Sequence, residues 1–207
     1  GKSSLVLQLE AASAALADAG LTHKDVDGIL PFPNLATAEE LAANLGVENL
    51  RFATTLQMGG AAPVASLAVA AMAVSSGAAD VVLIPAGWNG YSGRRVRETI
   101  SEQTSSIPGG AIARDFYMPY GLGAPPQWYS LMARRHMHEF GTKPEQLGAV
   151  AVAMRKHAQL NAAAVMHGKP MTRADYLASP MVTAAYRLFD CCLETDGAAA
   201  IVVTSAE

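Results

Sequence analysis

The 207-residue chain has two cysteines, and they are neighbours, Cys191 and Cys192. Adjacent thiols are a poor arrangement for a structural cross-link, so no disulfide framework is available and a reducing, cytoplasmic setting is the simplest expectation. The chain opens without a charged-then-apolar leader of the signal-peptide kind. Nor is there a surplus of positive charge: the formal net charge is −3 and the pI about 6.0. The basic residues are scattered apart from Arg94–Arg97 and Arg134–Arg135, which gives no footprint for nucleic acid or an anionic membrane. The nearly apolar stretch Ala62–Ser76 is too short and too rich in alanine to make a membrane span. The expected partners are therefore small molecules or other proteins.

What is present is alternation. Ser3 or Ser4 can cap a helix running to Asp18, with Leu5, Leu9, Ala12, Leu16 and Ala19 as its apolar positions and Gly20 as its stop. Asp27–Pro31 reads as a short strand, Ala38–Leu45 as a second helix ending at Gly46, and Phe52–Leu56 as a strand leading into the glycine turn at Gly59-Gly60. The helix that follows is almost entirely Ala, Val, Leu and Met, and a helix apolar all round is expected to be buried all round. Pro63 suits its first turn and Gly77 the position just past its end. Val81–Ile84 then reads as a strand buried on both faces, with Gly87 as the turn that ends it. Asp196-Gly-Ala-Ala-Ala-Ile-Val-Val turns into a last apolar strand that returns to the sheet. The order argues for an α/β architecture with helices on the faces of a largely buried sheet.

From Asn89 to Pro126 the composition shifts to Gly, Pro, Ser, Tyr and Arg, the pattern of a long surface excursion. Helices follow at Gln127–Phe140 and from Thr142 to about Asn161, the second with Thr142 as cap and Glu145 as its reciprocal partner.

Several residues carry candidate chemistry. Gly59 and Gly60 would leave unpaired N–H groups at a helix N-terminus, which favours an anion or a polarised carbonyl; equally, the glycines could simply permit a tight turn and close packing. Arg94, Arg95 and Arg97 suit either a phosphate or a solvated loop. Tyr117, Tyr120, Trp128 and Tyr129 concentrate the rings of a chain that is only 6% aromatic, and such rings wall an apolar pocket or pack the excursion down. His136, His138 and His157 lack the acidic or cysteine companions of a zinc site, so no metal is expected. Cys191 and Cys192 sit beside Leu, Phe and Asp, where buried unreactive thiols are common.

Taken in order, Gln57–Gly87, Met118-Pro-Tyr-Gly-Leu, Arg134-Arg-His-Met-His-Glu-Phe-Gly, Leu188-Phe-Asp-Cys-Cys and Asp196-Gly-Ala-Ala-Ala resemble the thiolase superfamily. Within it the chain is most similar to the non-specific lipid-transfer-protein-like, or sterol-carrier-protein thiolase, branch. The resemblance implies a layered α/β fold of two similar halves, of which this chain holds the first. Residues 1–88 and 186–207 would form its α/β domain and residues 89–185 an inserted, mainly helical loop domain. It further implies a homodimer and a coenzyme A thioester, bound as substrate and not as a covalent cofactor, at the junction of the halves. Gly59, Gly60, Ala61, Tyr117, Met118 and Tyr120 are the expected substrate-binding residues, and the family's later acid–base groups lie beyond residue 207.

In the family the nucleophilic cysteine stands seventeen residues before the glycine matched by Gly77, and that position here is Gly60. Without a thiol no acyl-cysteine can form there. Branch members of this kind resemble aldolases that cleave β-hydroxyacyl-CoA, including steroid side-chain intermediates, with a small OB-fold CoA-binding partner. The alternatives are a non-catalytic acyl-CoA or lipid-binding protein, and an acyltransferase of the acetyl-CoA acetyltransferase type using Cys191 or Cys192.

Overall fold

A computed structural model of the chain describes residues 1–33, 35–95 and 109–206. It comprises two compact units, Gly1–Ala111 with Glu194–Glu207, and Ile112–Leu193.

In the first unit, helix α1 (Ser4–Asp18) begins where Ser3 Oγ accepts the Val6 N–H at 3.3 Å, and its four-residue spacing buries Gln8, Ala12 and Leu16. Helix α2 (Ala38–Leu45) is closed by a reciprocal cap: Glu40 N–H donates to Thr37 Oγ1 at 3.1 Å and Thr37 N–H to Glu40 Oε2 at 2.9 Å. Strands β1 (Gly28–Ile29), β2 (Phe52–Ala53), β3 (Val81–Asn89) and β4 (Asp196–Thr204) form one sheet in the order β2-β1-β3-β4. The first three run parallel, and β4 pairs antiparallel with β3.

Side chains alternate across β3 and split the core. Val81 and Leu83 join Ala12 and Leu16 of α1 and Leu41 of α2, whereas Val82 and Ile84 join Ala70 and Ala73 of helix α3 (Ala62–Ser75). Helices therefore lie on both faces, as the alternation of the sequence implies.

Two expectations for this unit need correction. Gly87 does not end its strand; β3 continues to Asn89, and Gly87 pairs with Ala198 of β4, whose side chain a Cβ at Gly87 would strike. Nor is α3 buried all round. Ala62, Ser66, Ala70 and Ala73 form its buried stripe, while Val64 and Met72 are 72% and 61% exposed. Only one side of the helix meets the sheet, and the opposite side is just as apolar.

The second unit holds α4 (Pro125–Phe140), α5 (Pro144–Gln159) and α6 (Arg173–Ala178). The start of α5 also differs from expectation: Gln146 Oε1 accepts the Lys143 N–H at 2.7 Å, and Thr142 Oγ1 instead lies 3.0 Å from His136 Nδ1. Tyr176 of α6 is fully buried and its hydroxyl donates to Asp190, at 3.0 Å and 2.8 Å from the two carboxylate oxygens. The same carboxylate accepts the Arg187 N–H at 2.7 Å. The Tyr176 ring fills the space beside Gly148 of α5, where an added Cβ would come within 2.5 Å of it.

Asp27, just before β1, is buried and accepts the N–H groups of Asp80 and Val81 at about 2.9 Å, together with Arg51 Nη1 at 3.0 Å. Replacing Asp27 by Ala should cost on the order of 3 kcal/mol, because the N–H groups that open β3 lose their acceptor. Urea unfolding should show this as a lower midpoint with an unchanged slope. Gly148→Ala should cost about 1–3 kcal/mol by displacing Tyr176. Near-ultraviolet circular dichroism of the variant should report the loss of fixed tyrosine packing.

Candidate active site

The turn into α3 follows from its glycines. Gly59 has φ of 55°, a left-handed conformation that side chains resist, and Gly59–Ala61 forms one 3-10 turn. The Ala61 N–H donates to Met58 O at 3.2 Å and the Ala62 N–H to Gly59 O. No acceptor among the described residues takes the N–H groups of Gly59 and Gly60, and both residues are exposed. The helix beginning at Ala62 adds its partial positive charge to them. Gly60 has an ordinary φ, and a Cβ built on it meets nothing within 4 Å among the described residues. Conformation thus explains Gly59, whereas neither conformation nor crowding among the described residues requires a glycine at 60.

A groove of about 410 Å³ is lined by Phe32, Leu35, Thr37, Glu39, Thr54 and Gln57 among others. It lies past the C-terminal ends of β1 and β2, the end of a parallel sheet where ligands characteristically bind. Sequence reasoning missed these residues; the Thr54-Thr55 pair directly after an apolar strand is the available signal.

The other predicted residues belong to the second unit. Tyr117 closes a π-helical turn, Ala113–Tyr117, that passes into a 3-10 turn, Met118–Tyr120, ending at Gly121 with φ of 79°. Such irregular helix often marks functional positions. Met118 is half-buried, and Tyr117 and Tyr120 are exposed. Trp128 is held by its indole N–H on Leu122 O at 2.5 Å, so it is a packing residue, while Tyr129 is exposed.

Arg95 pairs with Glu194 at 3.1 Å and lies 4.7 Å from the Tyr91 ring centre; Arg97 lies outside the described residues. Burial pushes the Cys191 thiol up, with Asp190 and Cys192 adding to the effect, which is the wrong direction for a nucleophile. Burial, reinforced by the Asp190 carboxylate, likewise pushes the Tyr176 phenol far up, leaving it a poor proton acceptor. Among the described residues no three His, Cys, Asp or Glu side chains gather as a metal site, and no helix is long and apolar enough to cross a membrane.

No protein-family profile matches the chain. Over 207 residues, its whole length, it is 42% identical to the 17-hydroxy-3-oxo-4-pregnene-20-carboxyl-CoA lyase of Mycobacterium tuberculosis, covering 54% of that protein. It is 40% identical to the steroid side-chain-cleaving aldolase of Thermomonospora curvata, covering 53% of it. The solved Ltp2-ChsH2(DUF35) aldolase superposes over 100% of the chain with a TM-score of 0.89 and 38% identity, and 52% of that structure is matched. A monomeric SCP2-thiolase-like protein from Mycobacterium smegmatis shares the fold, with a TM-score of 0.68 over 98% of the chain, 42% of its own length and 22% identity. The chain thus spans about half the length of the curated relatives it matches.

The two glycines should respond oppositely to alanine. Gly59→Ala should destabilise by about 1–2 kcal/mol through its left-handed φ. Gly60→Ala should be neutral, or stabilising by up to about 1 kcal/mol, because it restricts only the unfolded chain. Urea titrations of the two variants give both values.

Proposed function

Because the chain belongs to the thiolase superfamily, in its sterol-carrier-protein-thiolase-like branch, we propose that it forms part of an enzyme cleaving a carbon–carbon bond of a β-hydroxyacyl-CoA by retro-aldol chemistry. The acyl part would be a lipid or steroid side chain. The observation that carries this reading is the identity, over the whole chain, to two relatives whose names are a CoA-ester lyase and a steroid side-chain-cleaving aldolase. The bare position at Gly60 agrees with it, since a retro-aldol step requires no acyl-enzyme.

In that step a base accepts the proton of the β-hydroxyl, the Cα–Cβ electron pair moves toward the thioester, and the β-carbon leaves as a ketone or aldehyde. The resulting enolate is then protonated at Cα to give the shortened acyl-CoA. The charge develops on the thioester oxygen, where fixed N–H donors have most effect; one such donor is typically worth about 10²–10³ in rate. Gly59 and Gly60 offer those donors, whereas the Ala61 N–H is already used within its own turn. Tyr117, Met118 and Tyr120 are proposed contacts for the acyl part. The base is assigned to no residue of this chain, and Tyr176 is unsuited to the role.

A small CoA-binding partner of the OB-fold type is part of the proposal, supported by the DUF35 component named in the solved relative. A homodimer completes the proposed assembly.

The assembled protein, supplied with a β-hydroxyacyl-CoA and a DUF35-type partner, should release a ketone or aldehyde and a shortened acyl-CoA in equal amounts. Thiol alkylation should leave the rate unchanged. Tight acyl-CoA binding without carbonyl release would leave a non-catalytic binding protein in its place. Loss of activity on alkylation would point instead to acyl transfer through Cys191 or Cys192.

A further inference from the structure

The proposed cleavage uses the glycine turn and leaves the groove past β1 and β2 without a role. That groove lies within the first unit, between the start of α2 and the chain that follows β2, and its volume of about 410 Å³ is in the range of small-molecule sites. Gln57 connects it to the glycine turn. This residue lines the groove, and the chain bends sharply there, with the Met58 N–H donating to Leu56 O at 3.0 Å across a three-residue turn. Gly59 follows two residues on, so the Cα atoms of Gln57 and Gly59 are at most about 7 Å apart. A ligand with one end against Gln57 is therefore within reach of the Gly59 and Gly60 N–H groups, which have no acceptor among the described residues.

The polar groups of the groove select against charge of one sign. Glu39 is the one charged residue in its lining, and no lysine or arginine faces it among the described residues. Hydrogen bonds from its own N–H and from the Thr37 side chain hold the Glu39 carboxyl below the usual carboxylate range, so it is ionised at neutral pH. An anionic wall without a cation repels phosphate and carboxylate groups, which excludes the nucleotide end of a thioester and a free fatty acid. It accepts a hydrogen bond from a neutral hydroxyl instead. Thr54 is half-buried, Thr55 and Gln57 are exposed, and none of these three side chains has a hydrogen-bond partner among the described residues. Each is able to donate to a ligand oxygen.

The apolar part of the lining is Phe32, Leu35 and three alanines, Ala36, Ala38 and Ala53. Alanine has no rotamer freedom to lose, so much of this wall needs no ordering when a ligand arrives. The remaining entropy cost falls on the ligand itself. With few polar anchors to offset that cost, a rigid ring system is favoured over a flexible chain of similar area.

We propose that this groove binds an uncharged, rigid fused-ring body at the far end of the acyl part, with Glu39 accepting from a ring hydroxyl or Thr54 donating to a ring oxygen. The proposal deepens the acyl-CoA reading and rests on it only for the thioester to which the ring body is attached.

The test uses tritiated testosterone, a neutral tetracycle with one hydroxyl, one ketone and no thioester, in equilibrium dialysis against the full chain. The wild-type protein should bind it. Ala53→Trp fills the groove from an exposed strand position that suits an aromatic ring, and should weaken binding about tenfold or more. Thr54→Val should weaken it about three- to tenfold, the loss expected for one hydrogen bond. Unfolding midpoints equal to that of the wild type show that neither loss comes from unfolding. Testosterone binding that both variants leave unchanged overturns the proposal. So does binding of 1-dodecanol as tight as that of testosterone, which would make the groove a channel for flexible chains. A wild-type dimer that binds no testosterone and that Ala53→Trp converts to a monomer also overturns it, since the groove would then be an interface between copies. If testosterone binds as described but the assembled protein releases no carbonyl compound from a β-hydroxyacyl-CoA, the groove stands and the retro-aldol reading falls. If wild type and Ala53→Trp release the carbonyl compound equally well, the retro-aldol reading stands and the groove falls.

Discussion

The first unit depends on one buried carboxylate. Asp27 precedes β1 and accepts the N–H groups with which β3 begins, while Arg51, just before β2, donates to the same side chain. Its backbone adds to this: the Asp27 carbonyl accepts the N–H groups of Arg51 and Phe52 at 2.8 Å and 3.0 Å, and the Asp27 N–H donates to Val81 O at 3.2 Å. Two of the strands involved are only two residues long and could not set a register by pairing alone. A charge-assisted node at their shared end does so. With β3 fixed at Val81, Gly87 falls opposite Ala198, and the two cores separate onto the two faces.

That geometry explains why α3 resists reading by composition. A helix with no polar face gives no instruction about which side to bury, so the small residues decide. Ala62, Ser66, Ala70 and Ala73 let α3 approach the sheet closely, and the bulkier Val64 and Met72 are left outside. Serine lies inside while valine lies outside, the reverse of a rule based on hydropathy alone. A single chain can bury only one side of such a helix unless a second layer covers it.

Much of the fold was legible because its signals are local. The cap at Ser3, the glycine stops and the alternation of apolar segments each act within a few residues. Two of the misreadings share a cause, which is distance along the chain. Gly87 looks like a turn until β4, more than a hundred residues later, packs against it. Asp27 reads only as the first residue of a short strand until Asp80 and Val81 arrive. Thr142 offered a plausible local cap, but Gln146 competes for the same helix start and His136 engages the threonine. At the candidate site, sequence identified the glycine turn but could not separate its two glycines; the backbone angle of Gly59 and the open space at Gly60 do. The groove beyond β1 and β2 draws its lining from two separate segments and had no contiguous signature.

The proposed chemistry places an unusual demand on so plain a turn. An enzyme that forms an acyl-cysteine lowers its barrier by dividing one step into two, whereas a retro-aldol enzyme with no nucleophile must stabilise the enolate more than it stabilises the bound thioester. Preorganised N–H donors meet that requirement because they need no reorganisation as the charge develops. The two at Gly59 and Gly60 are held by a 3-10 turn and a proline-containing first helical turn, both of which restrict the backbone. A side chain at 60 would add bulk where those donors must be approached. The absent Cβ therefore suits the proposed retro-aldol reading, in which no thiol is needed at that position.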